Sequence, residues 1–277
     1  MINNKKTPSN IAKDYSLSEF IYSCGYNLRL KYASFKQDAL NWIADNSAEL
    51  LMAEKPEILS LGCGTGLFDT ALIKIIQQQK TQWSFTGLDF SKTDLEIFRK
   101  NLSTMDEQTQ SRVTLQYKKF EPSTDMGQRY DLITMIHFLH SFDDVLPIIK
   151  NALRHLSPDG RLLVIQHNKQ GVAEIKDEFL DILPNQKFQC SDHIKQLLHA
   201  ENITFTTHTI DASFDISIMQ EMSLDTLLLM SFCLVNDLSK LNTNQQEQVR
   251  EAFLSRAEKN NGADVIYESM EAIVCHL

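Results

Sequence analysis

"EILSLGCGTGLFD", residues 57–69, decides the fold of this chain. An apolar run (Ile58, Leu59, Leu61) leads into Gly62-Cys63-Gly64-Thr65-Gly66, and a helical pattern follows. The chain holds nine glycines in 277 residues, and three of them fall within these five positions. A buried strand that ends in GxGxG and opens a helix brings backbone N–H groups close to a ligand, because glycine lacks a Cβ and tolerates positive φ. An ordinary tight turn uses the same residues, so context must decide. Asp89 supplies context, at the end of a second apolar run at 83–88. In an open α/β sheet a carboxylate there accepts hydrogen bonds from ribose hydroxyls. Asp89 is also placed to cap the helix that follows, a duty that Ser91 can take instead.

Two nucleotide-binding loops fail here. The dinucleotide fingerprint GxGxxG needs a third glycine where this chain has Leu67, and the P-loop lysine is missing. Composition narrows the field further. Hydrophobic residues make up 43% and charged residues 23%, ordinary for a globular protein, and the formal net charge is −9. No dense Lys/Arg run provides the basic footprint of a nucleic-acid binder. The five cysteines (Cys24, Cys63, Cys190, Cys233, Cys275) are scattered with no CxxC pair, which argues against a zinc site or a disulfide framework. No metal is expected. The polar start MINNKKTPSN does not read as a signal peptide, and the apolar stretch 224–234 is too short to span a bilayer. A reducing, cytoplasmic setting without membrane attachment is the expectation.

Along the chain, residues 14–46 read as helical, and Pro56 breaks the pattern. Strand patterns at 58–61, 83–88, 113–117, 130–136 and 161–166 alternate with helical ones at 67–79, 94–101 and 143–155, and "SPDG" (157–160) reads as a turn. Such alternation predicts an α/β fold with a largely parallel sheet and helices on both faces. Residues 175–183 and 191–200 look helical, and 203–210 looks like a strand. The region 215–260 is mostly helical without a strand candidate, and 264–275 fits helix or strand. The chain reads as one domain, 1–277: a helical cap at 14–50, a core at 56–212, a helical insertion at 213–262 and a closing segment at 263–277.

The segments "EILSLGCGTG", "GLDFS", "YDLITMIHFLHSF" and "LSPDGRLLVI" together resemble the successive motifs of the class I S-adenosylmethionine-dependent methyltransferases, over residues 57–166. The resemblance implies a Rossmann-like seven-stranded sheet whose last strand is reversed. It further implies S-adenosyl-L-methionine as cofactor and S-adenosyl-L-homocysteine as product. Gly62, Gly64 and Gly66 would line its methionine and ribose portions. Asp89 would hold the ribose hydroxyls, Phe90 would flank the adenine, and Ile136 would sit beneath the cofactor. Asp94, Phe120 and Glu121 are further adenine-side candidates.

Enzymes of this family that methylate amino groups of nucleic acids carry Asn/Asp-Pro-Pro-Tyr/Phe after the fourth strand. Met135-Ile136-His137-Phe138 stands here. With the acidic charge, this points to a small-molecule acceptor and away from nucleic acid. Outside the core, "KDYSLSEF", "MIHFLHSFDDVLP", "CSDHIKQLL", "IDASFDIS" and "DVIYESMEAIVCHL" resemble the histamine N-methyltransferase branch. That likeness implies a cofactor-covering Tyr15, a closing strand at the end of the chain, and nitrogen as the acceptor atom. The pocket departs from that branch. Its amino-terminal glutamate has no counterpart, and its glutamine is replaced by His137. Two of its tyrosines become His140 and Ser141, and its asparagine becomes Glu268.

Transfer from a sulfonium needs alignment and exclusion of water more than acid catalysis. An amine must be neutral at attack, and an imidazole titrating near neutrality can take its proton. His137 and His140 are the candidates for that role, or they merely line the pocket. Ser141, His167 and Glu268 are candidate acceptor contacts, with Glu268 either holding a cationic acceptor or facing solvent. An O-methyltransferase, a non-catalytic cofactor-binding scaffold and a protein methyltransferase remain alternatives. A monomer or weak homodimer is expected.

Overall fold

The computed structural model describes residues 16–183 and 189–277. Its strands are β1 (Glu57–Leu61), β2 (Ser84–Asp89), β3 (Val113–Tyr117), β4 (Tyr130–Ile136), β5 (Leu156–His167), β6 (Phe205–Asp215), β7 (Glu258–Asn260) and β8 (Ala263–Cys275). They form one sheet in the order β3-β2-β1-β4-β5-β8-β6, with β7 paired to β8 off that path. The strands β1 to β5 run parallel, and β8 runs antiparallel to both β5 and β6. The sheet is therefore the expected mostly parallel one with a reversed last strand, and β7 adds a short hairpin.

The apolar runs fill two faces because successive side chains of a strand point to opposite sides. Ile58 and Leu132 join one core with the helices Phe35–Asp45, Asp69–Gln79 and Lys92–Leu102. Leu59, Ile133 and Met135 join the other with the helices Leu146–Arg154 and Ser191–Ala200. A third cluster unites Phe214, Ile216 and Ile266 with the added helices Leu224–Leu234 and Thr243–Leu254.

Three local expectations change. The amino-terminal helical stretch splits into Glu19–Tyr32 and Phe35–Asp45, because Ser34 bonds through backbone and hydroxyl to Ser213 of β6 and Ala33 bridges Phe214. "SPDG" loops out within β5: Tyr130 faces Leu156, whereas Leu132 faces Arg161. The segment read as lacking strands contains β7. It turns into β8 through Asn261 and Gly262, whose φ of 50° and 88° suit a two-residue hairpin.

The helix Glu19–Tyr32 crosses Leu224–Leu234 at close range. A Cβ on Gly25 would lie 2.4 Å from Phe232 Cβ and 2.7 Å from the Leu228 carbonyl oxygen. This crossing fixes the helix over the carboxyl ends of the strands, where open α/β sheets bind ligands.

Candidate functional site

The glycine loop opens where the strand order reverses between β1 and β4. The N–H groups of Gly62 and Cys63 both donate to the Leu88 carbonyl, at 2.9 and 3.2 Å, tying the loop to β2. Gly62, Gly64 and Gly66 have φ of 73°, 50° and 71°. They serve different ends. A Cβ on Gly62 would meet the Phe138 ring at 2.4 Å, and one on Gly66 the Phe98 ring at 2.1 Å. Only Gly64 of the three faces open space, so its backbone is the one left open to close approach.

Asp89 lies beside it, 7% exposed at the end of β2. Its Oδ2 accepts the Gly64 N–H at 2.9 Å and its Oδ1 the Ser91 N–H at 2.8 Å. The helix cap falls to Ser91, whose hydroxyl accepts the Asp94 N–H at 3.2 Å. Asp89 is thus held in place by two backbone donors, and each oxygen retains acceptor capacity. Phe90, 63% exposed, and half-buried Asp94 follow on the same rim. Phe120 is buried in the core against His155, and exposed Glu121 pairs with Lys119 at 3.0 Å. Half-buried Ile136 ends β4. Tyr15 lies outside the described residues.

Sequence reading missed the opposite wall and the floor of this cleft. Tyr22 and Tyr26 of the helix Glu19–Tyr32 stack with centroids 6.3 Å apart. Tyr22 is 44% exposed, and desolvation by the surrounding protein and the carboxylates of Asp94 and Asp89 raise its phenol. Burial, Tyr22 and Asp69 push Tyr26 up to about 12. On the floor, Asp69 is buried in the first turn after the glycine loop and accepts the Ser60 hydroxyl. Desolvation pushes its carboxyl up to about 7 against the pull of Ser60 and Lys36. The signal in the sequence was an acid in the first turn of a helix behind a glycine loop. Open backbone at Gly64, a braced carboxylate at Asp89, an exposed aromatic at Phe90 and an acidic floor suit a cationic adenosyl ligand. The residues present fit S-adenosyl-L-methionine.

Next to this cleft, the ends of β4 and β5 carry a second group. His137 adopts φ 50°, a left-handed conformation that costs a non-glycine residue about 1 kcal/mol, and its N–H donates to the Ile165 carbonyl at 3.0 Å. Its ring stacks on His167, with centroids 4.6 Å apart, and Phe35 packs edge-on against both. Its Nε2 is buried without a hydrogen-bond partner. Burial, then His167 and His140, hold His137 well below the usual histidine range. Burial and Arg29 bring His167 to about 3. Both shifts favour the neutral imidazole, which runs against the base role expected of His137. His140 is exposed, yet desolvation by the surrounding protein lowers its pKa. Ser141 belongs to the short 3-10 turn Leu139–Ser141.

Glu268 of β8 is 4% exposed and ion-paired with Arg29 of the helix Glu19–Tyr32, itself 5% exposed. The solvated reading of Glu268 is overturned, because β8 lies between β5 and β6 and the helix covers this part of it. Burial opposes the Arg29 charge, but Glu268 beside it raises the guanidinium pKa. The guanidinium carbon lies 3.9 Å from the Phe214 centroid and 5.6 Å from that of Phe35. Among the described residues, no three of His, Cys, Asp or Glu gather to hold a metal, and no helix is long and apolar enough to cross a membrane.

Known proteins share this fold. The Bacillus subtilis protein YcgJ superposes with a TM-score of 0.55 at 15% identity, covering 85% of this chain and 96% of that one. The plantazolicin methyltransferase BpumL, solved with S-adenosylhomocysteine, gives 0.52 at 14% identity over 92% and 89%. At such identities the likeness is one of fold. In sequence, the ubiquinone biosynthesis O-methyltransferase of Coxiella burnetii is 30% identical over 115 residues, 40% of this chain and 44% of that protein. The demethylmenaquinone methyltransferase of Lactiplantibacillus plantarum is 26% identical over 136 residues, 49% and 55%. The matched stretch thus spans about half the length of these relatives. A family profile described as a methyltransferase domain matches residues 29–208, more than half of the chain, and the chain belongs to that family.

Proposed function

We propose that this protein transfers the methyl group of S-adenosylmethionine to a heteroatom of a small molecule held between the glycine-loop cleft and the His137–His167 pair. The observation that carries this reading is the adjacency of the two groups. The end of β4 leads from Ile136, beside the cleft, into a buried imidazole whose Nε2 has no partner. The bound cofactor supplies an activated methyl on a positive sulfur. The chain's own residues align the acceptor and exclude water: Phe35 and the stacked imidazoles wall the approach, and Asp89 and Gly64 fix the donor side.

Nitrogen is the acceptor atom that the flanking resemblance implies, and neutral imidazoles beside a buried cation favour an amine in its unprotonated, nucleophilic form. A second reading, O-methylation, is favoured by Arg29, because a guanidinium stabilises a developing or preformed oxyanion. Two observations oppose histamine itself: Glu268, the acid that would hold a cation, is already neutralised by Arg29, and no glutamate reaches the cluster from the helix Glu19–Tyr32. A labelled-methyl screen over amines, imidazoles, phenols and catechols tests the proposal. Label on small acceptors supports it; label on proteins alone, or on nothing despite cofactor binding, refutes it.

A further inference from the structure

The Arg29–Glu268 pair leaves part of the guanidinium unused. One edge of Arg29 engages Glu268 through Nη2, while Nη1 is buried without a hydrogen-bond partner. An unsatisfied buried donor is costly, more so when charged, so it calls for an acceptor atom. The surroundings state its chemistry. Phe214 and Phe35 pack about the guanidinium, Phe35 also touches His137 and His167, and the unpartnered His137 Nε2 belongs to the same cluster. Flat rings therefore pack in series between the end of β4 and the guanidinium.

Charge accounting selects the ligand. Glu268 already cancels one unit of charge with Arg29, so a protonated amine entering here finds no free anion. With the donor's sulfonium bound next to the cluster, such an amine meets a positive charge with no free anion to offset it. A carboxylate meets the reverse: a fork-shaped donor with a free N–H edge and a positive neighbour. We infer that Arg29 is the specificity residue of the acceptor site and that the acceptor is a small planar molecule bearing a carboxylate, which Arg29 Nη1 binds. This inference rests on the proposed methyl transfer for its biological sense, but not for its measurement.

The experiment uses one ring with three substituents: 4-hydroxybenzoate, 4-hydroxybenzamide and 4-hydroxybenzylamine, titrated calorimetrically into the full chain saturated with S-adenosylhomocysteine. Gaining a charge-assisted hydrogen bond should give the acid about a tenfold or greater advantage over the amide, with the amine weakest. Removing Arg29 alone strands a buried carboxylate and invites misfolding. The paired variant Arg29→Met/Glu268→Leu replaces both charges by apolar groups, a change that buried pairs often tolerate. It should keep its affinity for S-adenosylhomocysteine and lose the acid's advantage. Arg29→Lys keeps the charge but not the fork, and should lower the advantage without abolishing it. Equal binding of acid and amide, as when water alone satisfies Nη1, overturns the inference. So does preference for the amine, binding by none of the three, or an acid preference that survives the paired variant. Acid binding without methyl transfer to any acceptor would instead refute the proposed reaction and leave the inference standing.

Discussion

Asp69 provides the sharpest test of how the cofactor floor is built. It is a buried carboxyl whose pKa desolvation pushes from an ordinary 3.8 up to about 7. Below the lower value both folded and unfolded chains hold the proton, and the residue costs nothing. As pH rises the unfolded chain ionises first, so the folded state loses stability until pH passes about 7, beyond which the loss is constant. Between about pH 5.5 and the folded pKa lie about one and a half pH units, each worth ~1.4 kcal/mol, which gives ~2 kcal/mol. Asp69→Asn cannot ionise and escapes this loss. Urea unfolding of the cofactor-free protein should therefore show the variant gaining ~2 kcal/mol on wild type between about pH 5.5 and pH 8. The difference between the two proteins cancels every other carboxylate. A difference that stays constant with pH, or moves in favour of wild type, refutes the picture of a desolvated acid on the cleft floor.

Other consequences follow from single contacts. Gly66→Ala should lose ~3 kcal/mol of stability, since it adds a clash with Phe98 at 2.1 Å to a φ of 71°. Gly64→Ala meets nothing and should cost only ~1 kcal/mol of stability, yet weaken S-adenosylmethionine binding about tenfold or more; calorimetry separates the two effects. Asp89→Asn should weaken cofactor binding by about ten- to a hundredfold, and unchanged affinity would remove Asp89 from the site. With His137 and His167 both neutral, kcat should show no limb attributable to them between about pH 6 and 8. A limb near the ordinary histidine pKa that disappears in His137→Ala would refute this.

The fold was legible because its signals are local. Continuous apolar runs such as "YDLITMI" and "RLLVI" have one economical solution, a strand buried on both faces. The glycine loop and Asp89 stand at fixed spacing within one βαβ unit, and the structure places them in direct hydrogen-bonded contact. The β7–β8 hairpin was missed although Asn-Gly is a strong turn signal, because Glu258–Asn260 is polar and exposed and shows no alternation. The acceptor side was missed for a different reason. Arg29 and Glu268 are 239 residues apart, and neither has a local pattern that announces the other. The tyrosines of the helix Glu19–Tyr32 and Asp69 of the helix Asp69–Gln79 come together from distant segments in the same way.

That distance in sequence has a physical consequence for how the acceptor site can change. The cofactor side is anchored in backbone geometry: positive φ at three glycines and two N–H groups on Asp89. Altering it disturbs the loop itself. The acceptor side is anchored by side chains from the covering helix, the end of β4, the end of β5 and β8, held in register by the sheet and by the close crossing at Gly25. Exchanging a charge there leaves the sheet untouched, provided its buried partner changes too. A site with neutral histidines, and with an arginine and a glutamate that cancel one another, is what such paired exchange produces. The proposed preference for an anion over a cation then rests on the unsatisfied Nη1 of Arg29, not on the net charge of −9.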